Sequence, residues 1–166
     1  SGGDEDPYHL AANAERSFQG TKAYGQGFVF DDNDDGASPI AEKDAPLSRN
    51  QRNAERIFPY IGGAEINSHP THQHHRYIIS FQDLSEGDAR AWPDLFRIVE
   101  TKVRPERERL ADNPDGRRLK EFWWQWGRHR PALQRAISGL HRVLVTSQTA
   151  KYRLFAWVNP KMIFDQ

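Results

Sequence analysis

Apolar positions along this chain recur with two periods, and the periods predict its elements. Tyr77, Ile79 and Phe81 share one face of an extended segment, so residues 76–81 read as a half-buried strand. Leu95, Ile98, Val99 and Val103 recur at helical spacing and predict a helix from Asp94 to Arg104, which Pro105 should end or kink. Leu119, Phe122, Trp123 and Trp126 fall at i, i+3, i+4 and i+7, the buried stripe of an amphipathic helix. Those tryptophans are then core; Trp124 lies off the stripe, where partial burial is preferred to stacking on a base. Pro131 restarts a helix whose apolar face is Leu133, Ala136, Ile137 and Leu140, with Gly139 near its end. Arg142 to Thr146 and Tyr152 to Val158 are rich in β-formers and read as two strands of a hairpin joined by residues 147–151.

Weaker signals fill the remainder. His9 to Glu15 forms a short helical turn, and Gly20, Gly25 and Gly27 lead into a strand from Phe28 to Phe30, marking turns or close backbone approach. Ser48 is a plausible N-cap for a helix from Arg49 to Phe58 that ends at Pro59, followed by a turn at residues 60–63. Ser85 to Asp88 has the form of a capping box, and the charged run after Pro105 reads as a solvated helical turn followed by a loop from Asn113 to Gly116. The fold class expected is α+β, with helices packed on a small mixed, mostly antiparallel sheet and long loops.

At 166 residues the chain is one domain, residues 17–166, behind an N-terminal arm, residues 1–16, whose first three residues have the look of an expression scar. There is no cysteine, which excludes disulfides and thiolate metal sites, and no apolar run near the roughly 18 residues needed to cross a bilayer. With no signal-peptide pattern either, a cytoplasmic protein without a membrane partner is expected.

Charge changes the picture more. The net charge of zero hides polarity: ten acids and three bases in the first forty-six residues, then nine Lys and Arg against the single acid Glu121 from Arg117 to Arg153. Cations clustered beside aromatic rings suit a phosphate backbone, and a DNA-reading module is the working expectation. Arg117, Arg118 and Lys120, placed in the first turn of their helix, would oppose the helix dipole, a cost that an anionic partner would offset.

Other chemistry is weakly supported. Asp31, Asn33, Asp35, Gly36 and Glu42 match the spacing of an EF-hand calcium loop, but a strand precedes them and Pro39 interrupts the exit, so a solvated acidic turn is the preferred reading. His69, His72, His74 and His75 lie close enough to bind zinc or nickel, yet on a loop without evident supporting carboxylates, so an exposed polar loop is preferred. No nucleotide-binding glycine loop occurs, and Asn159-Pro160-Lys161-Met162 lacks the second proline and the aromatic residue of an adenine-methylating loop. No catalytic residue is assigned, and the chain by itself is not expected to be an enzyme.

The segments SFQGTKAYGQGF, NAERIFPYIGGAEIN, HRYIISF, WPDLFRIVETKVRPER, WWQWGRHRPAL and HRVLVTSQTAKYRLFAWVNPKMIF together resemble the target recognition domain of MmeI-like (type IIG/IIL) restriction-modification N6-adenine DNA methyltransferases, over residues 17 to 165 in order. The resemblance implies an excised piece of a larger polypeptide in which a methyltransferase module binds S-adenosylmethionine and a nuclease region usually precedes it. This fragment would bind no cofactor; its partners would be double-stranded DNA and that methyltransferase module. On this reading Arg117, Arg118, Lys120, Arg128, Arg130 and Arg142 contact phosphate, which positions without reading sequence. Base reading falls to Gln148, Lys151 and Arg153, supported by Ser147 and Thr149. The competing classes are a scaffold domain whose basic face docks an acidic protein, and a single-strand binder using stacked tryptophans.

Overall fold

The computed structural model describes residues 15–166, so residues 1–14, with most of the arm and the turn expected from His9, lie outside it. Six short strands form: β1 (Val29–Phe30), β2 (Ile57–Ile61), β3 (Arg76–Ile79), β4 (Val143–Thr146), β5 (Phe155–Val158) and β6 (Ile163–Phe164). The larger sheet has the order β1-β3-β2-β6, antiparallel except for the parallel β2/β6 pair, while β4 and β5 form a separate antiparallel hairpin. Around them pack α1 (Asp44–Arg49), α2 (Gly63–Ser68), α3 (Glu86–Ala89), α4 (Pro93–Lys102), α5 (Arg104–Glu108), α6 (Pro114–Glu121) and α7 (Pro131–Ile137). The α+β class and the mostly antiparallel sheet are as expected. No helix among the described residues is long and apolar enough to cross a membrane.

Two cores hold these layers. The larger joins Phe28 and Phe30, Ile78 and Ile79 of β3, Leu95, Phe96 and Val99 of α4, and Trp123, Trp124 and Trp126. Two of these indoles are buried with their N–H groups partnered: Trp124 donates to the Leu84 carbonyl and Trp126 to that of Ile79, both at 2.9 Å. Trp124 is 7% exposed, so it belongs to the core and is not free to stack on a base. The smaller core, beneath the hairpin, joins Ile61, Ile66, Leu133, Ile137, Ala156, Val158 and Phe164. Gly27 shows why glycine precedes β1, because a Cβ there would lie 2.6 Å from Cβ of Lys102.

Several expected elements differ. Instead of one helix from Arg49 to Phe58, α1 ends at Arg49, a 3₁₀ turn runs from Gln51 to Arg56, and β2 begins at Ile57. Asn50, not Ser48, caps the turn, accepting the Arg52 amide at 3.0 Å. Pro59 lies within β2, tolerated because β6 pairs only with Tyr60 and Ile61, which leaves the strand an edge on that side at the proline. Residues 60–63 are accordingly strand end and helix start, not a turn. Asn113 to Gly116 is no loop either: Asn113 caps α6 by accepting the Gly116 amide at 2.8 Å, with Pro114 as its first residue. That early start ends α6 at Glu121, so Trp123 and Trp126 are buried from turns beyond the helix. It also puts Arg118 and Lys120 in the last turn, where cations complement the dipole. The expected electrostatic cost, and the argument for an anionic partner drawn from it, both disappear. On α7 only Leu133 and Ile137 are buried, Ala136 is exposed, and Leu140, also exposed, lies beyond the helix end at Ile137.

Candidate nucleic-acid interface

Ion pairing is uneven along the chain. Among the described residues, eight of the fourteen Lys and Arg up to Arg117 pair with carboxylates, among them Arg49 with Asp94 at 2.9 Å, Arg90 with Glu86 at 2.7 Å, Arg104 with Glu108 at 3.0 Å and Arg117 with Asp112 at 3.1 Å. Beyond Arg117, no Lys or Arg forms an ion pair among the described residues. The chain has seven Lys and Arg and no Asp or Glu from residue 122 to residue 164, so no carboxylate within that stretch can neutralise them.

The backbone gathers part of this charge. The segment around Lys22 runs beside Arg128, with paired backbone hydrogen bonds of 3.1 and 3.0 Å between those two residues. Arg118 donates to the Gly127 carbonyl at 3.0 Å, and Arg130 donates from Nε to Gly20 O at 3.1 Å and from Nη2 to Gln19 Oε1 at 2.7 Å. Arg130 holds a left-handed backbone (φ 54°), an unusual state for a residue with a side chain, which those side-chain bonds help to fix. Lys22, Arg118, Arg128 and Arg130 therefore form one cluster. His129 lies behind it, stacked on Trp126 at 5.9 Å; burial first, then the Arg118 charge, push its pKa down and keep the imidazole neutral at pH 7.

The hairpin supplies the second part. Its register sets Leu144 opposite Trp157 and Thr146 opposite Phe155. Val143, Val145, Ala156 and Val158 turn toward the smaller core, leaving Leu144, Thr146, Phe155 and Trp157 on the exposed face. A cleft of about 930 Å³ separates the hairpin from α7 and residues 15–20; Arg142, Ser147, Gln148 and Thr149 line it, as does Gly20, which anchors Arg130. The Ser147 hydroxyl donates to the Thr149 carbonyl at 2.9 Å and shapes the loop. Lys151 and Arg153 are exposed on the same loop but do not line the cleft.

Among the expected phosphate contacts, Arg118, Arg128 and Arg130 are thus brought together and Arg142 joins the cleft, whereas Arg117 is engaged by Asp112 and Lys120 is half-buried on α6. Lys22 escaped the sequence reading because its register with Arg128 spans most of the chain.

The acidic turn uses its carboxylates on its own backbone. Asp31 accepts the Asn33 amide at 2.9 Å, Asp32 the Ile40 amide at 2.8 Å, and Asp34 the Gly36 amide at 2.8 Å. Of the calcium-like set Asp31, Asn33, Asp35 and Glu42, the last reaches toward Lys102 at 4.0 Å. The histidine loop does have carboxylates beside it, contrary to expectation: His75 Nδ1 is 3.2 Å from Glu65 Oε1 and Nε2 is 3.8 Å from Asp31. Glu65, 2% exposed, is already held by Arg76 through two bonds of 2.6 and 2.9 Å and by the Gly62 amide at 2.8 Å. Among the described residues no group of three or more His, Asp or Glu side chains is arranged to hold a metal ion.

These features define a small α+β domain with a cluster of cations that make no ion pairs among the described residues, and with a hairpin beside a cleft that Glu15 and Asp165 also line. Its fold is similar to part of a solved Type IIL restriction-modification enzyme, MmeI, in complex with DNA, with a TM-score of 0.61 and 12% identity over 89% of this chain. The chain spans 18% of the length of that enzyme, and the likeness is one of fold. No family model and no curated protein matches the chain.

Proposed function

We propose that this chain is the DNA sequence-recognition domain of a larger S-adenosylmethionine-dependent N6-adenine methyltransferase of a restriction-modification system. The observation that carries the reading is the cluster of Lys22, Arg118, Arg128 and Arg130, none in an ion pair among the described residues, in a domain with an exposed hairpin and a fold similar to part of a DNA-bound enzyme. Arg118, Arg128 and Arg130, with Lys22, hold the phosphate backbone and set the register of the duplex. Gln148, with Ser147 and Thr149 beside it, reaches base edges from the cleft wall, Lys151 and Arg153 supply a point and a forked cation for guanine, and Arg142 contacts phosphate. The chain carries neither the methylating loop nor a cofactor loop, so adenine chemistry and S-adenosylmethionine belong to the rest of the polypeptide, against which this domain clamps the DNA.

The test is to place residues 17–166 in the recognition-domain slot of an active relative and map methylated adenines by sequencing. A new recognition motif is expected, relaxed at one base position by Gln148→Ala. Methylation at the host's original motif would overturn the assignment.

A further inference from the structure

We propose that the outward face of the β4–β5 hairpin is a stacking platform for unpaired nucleotides, with the rings of Trp157 and Phe155 as base partners and Arg142 bracing them. This rests on the preceding reading only in taking nucleic acid as the partner; Leu144, Phe155 and Trp157 border the same cleft as Gln148, and this assigns their rings to unpaired bases, whereas groove reading uses the loop.

Trp157 is 56% exposed, Phe155 59% and Leu144 52%, and Tyr152 beside them is 72% exposed. Large apolar side chains adjoining on one face mark a contact surface more often than chance exposure. Phe155 and Trp157 are two residues apart on one strand face, so their Cα atoms lie about 6.6 Å apart along it and both rings project from the same side. The Arg142 guanidinium lies 4.3 Å from the Trp157 ring centre, and the Lys151 ammonium 5.3 Å from that of Tyr152. Each pairing puts a cation against a ring, the combination that takes a base on one side and its phosphate on the other.

Charge chooses between the two kinds of occupant such a face admits. The hairpin itself carries no Asp or Glu, and Arg142 at its start with Lys151 and Arg153 on its loop outnumber Glu15 and Asp165 across the cleft, so the surface complements a polyanion. An apolar protein surface laid over it would bury those cations unpaired. The bases must be unstacked, because a paired duplex presents edges and sugars but no open ring faces.

Fluorescence gives a direct readout. Trp92, Trp123, Trp124 and Trp126 are 3% to 7% exposed, so Trp157 is the tryptophan a ligand can reach. The 166-residue chain is titrated with a perfect duplex and with the same duplex opened by a short mismatched bubble, following tryptophan emission and the anisotropy of labelled DNA. The bubble should bind about tenfold more tightly and quench the exposed emission, since stacking one base on an aromatic ring changes affinity by at least several-fold. Trp157→Ala should abolish that advantage while leaving affinity for the perfect duplex within about twofold, and Phe155→Ala should reduce it. If the duplex binds but the bubble gains nothing, or if Trp157→Ala weakens both equally, the platform is wrong and duplex reading stands. Binding of neither DNA contradicts both readings. Concentration-dependent self-association abolished by Trp157→Ala would assign the face to protein contact and overturn the proposal.

Discussion

Replacing Arg76 by alanine is expected to lower the free energy of unfolding by about 3 to 5 kcal/mol, because it strands a charge in the interior. The Glu65 side chain has no exposed surface, and its carboxylate depends on two bonds from the Arg76 guanidinium and one from the Gly62 amide. Burial alone would push the Glu65 carboxyl up; the Arg76 guanidinium and the Gly62 amide outweigh it and hold the carboxyl below its ordinary value near 4.5. The sign of the pH dependence follows. A depressed carboxylate contributes stability that is complete above the unfolded value and lost as pH falls through the lower folded one, so the gap between wild type and Arg76→Ala should narrow in acid. Urea unfolding measures both effects, and Glu65→Ala combined with Arg76→Ala should cost less than the sum of the single changes. A loss under 1 kcal/mol at pH 7 would show that the pair is not the anchor described.

Arg107→Ala should cost a comparable amount, about 3 to 5 kcal/mol, by a different route. Arg107 is 1% exposed and donates to the carbonyls of Ala23 at 2.9 Å, Gln125 at 3.1 Å and Leu119 at 3.3 Å. Burial pushes its pKa down to about 10, so it remains charged at neutral pH. Truncation leaves carbonyl oxygens unsatisfied and opens a cavity beside Phe28, whose ring centre lies 5.6 Å from the guanidinium. Lysine does not substitute, because a single ammonium does not reproduce the fork that spans separate carbonyls. Ala23 also accepts the Gly127 amide at 3.2 Å next to the Lys22–Arg128 pairing, so loosening it should disperse the cation cluster. The variant is therefore expected to lose DNA affinity as well as melting temperature without touching ligand. A variant that melts with the wild type would refute the clamp.

How much of this was legible in the sequence depended on whether the deciding contacts were local. The hairpin was, because Val143, Val145, Ala156 and Val158 alternate with outward residues and no competing pattern fits. So was α4, where Leu95 and Val99 stack on one side. Residues 49–61 were not: Ala54, Ile57 and Phe58 fit a helix face as well as a strand, and Pro59 reads as a stop unless β6 is known to begin its pairing one residue later. One unrecognised cap, Asn113, shifted the start of α6 and so reversed the electrostatic argument about Arg118 and Lys120. Arg107 and Glu65 look like solvated charges in a charged stretch, since the carbonyls and the guanidinium that admit them to the interior come from distant segments. For Glu65 a local hint existed, a glutamate three residues after Gly62, the spacing at which a carboxylate reaches back to a helix's first amide. Residues 147–149 and Arg142, singled out by pattern, line the cleft, whereas the place of Lys22 beside Arg128 required the tertiary register.

The central claim is that the cation cluster of Arg118, Arg128 and Arg130 faces nucleic acid, and the salt dependence of duplex binding tests it most directly. The logarithm of the affinity should fall linearly with the logarithm of salt concentration, and Arg128→Ala should reduce that slope by about one, whereas Arg49→Ala, which removes a cation already paired with Asp94, should leave it unchanged. Affinity indifferent to salt, or an equal response to both substitutions, would contradict the account.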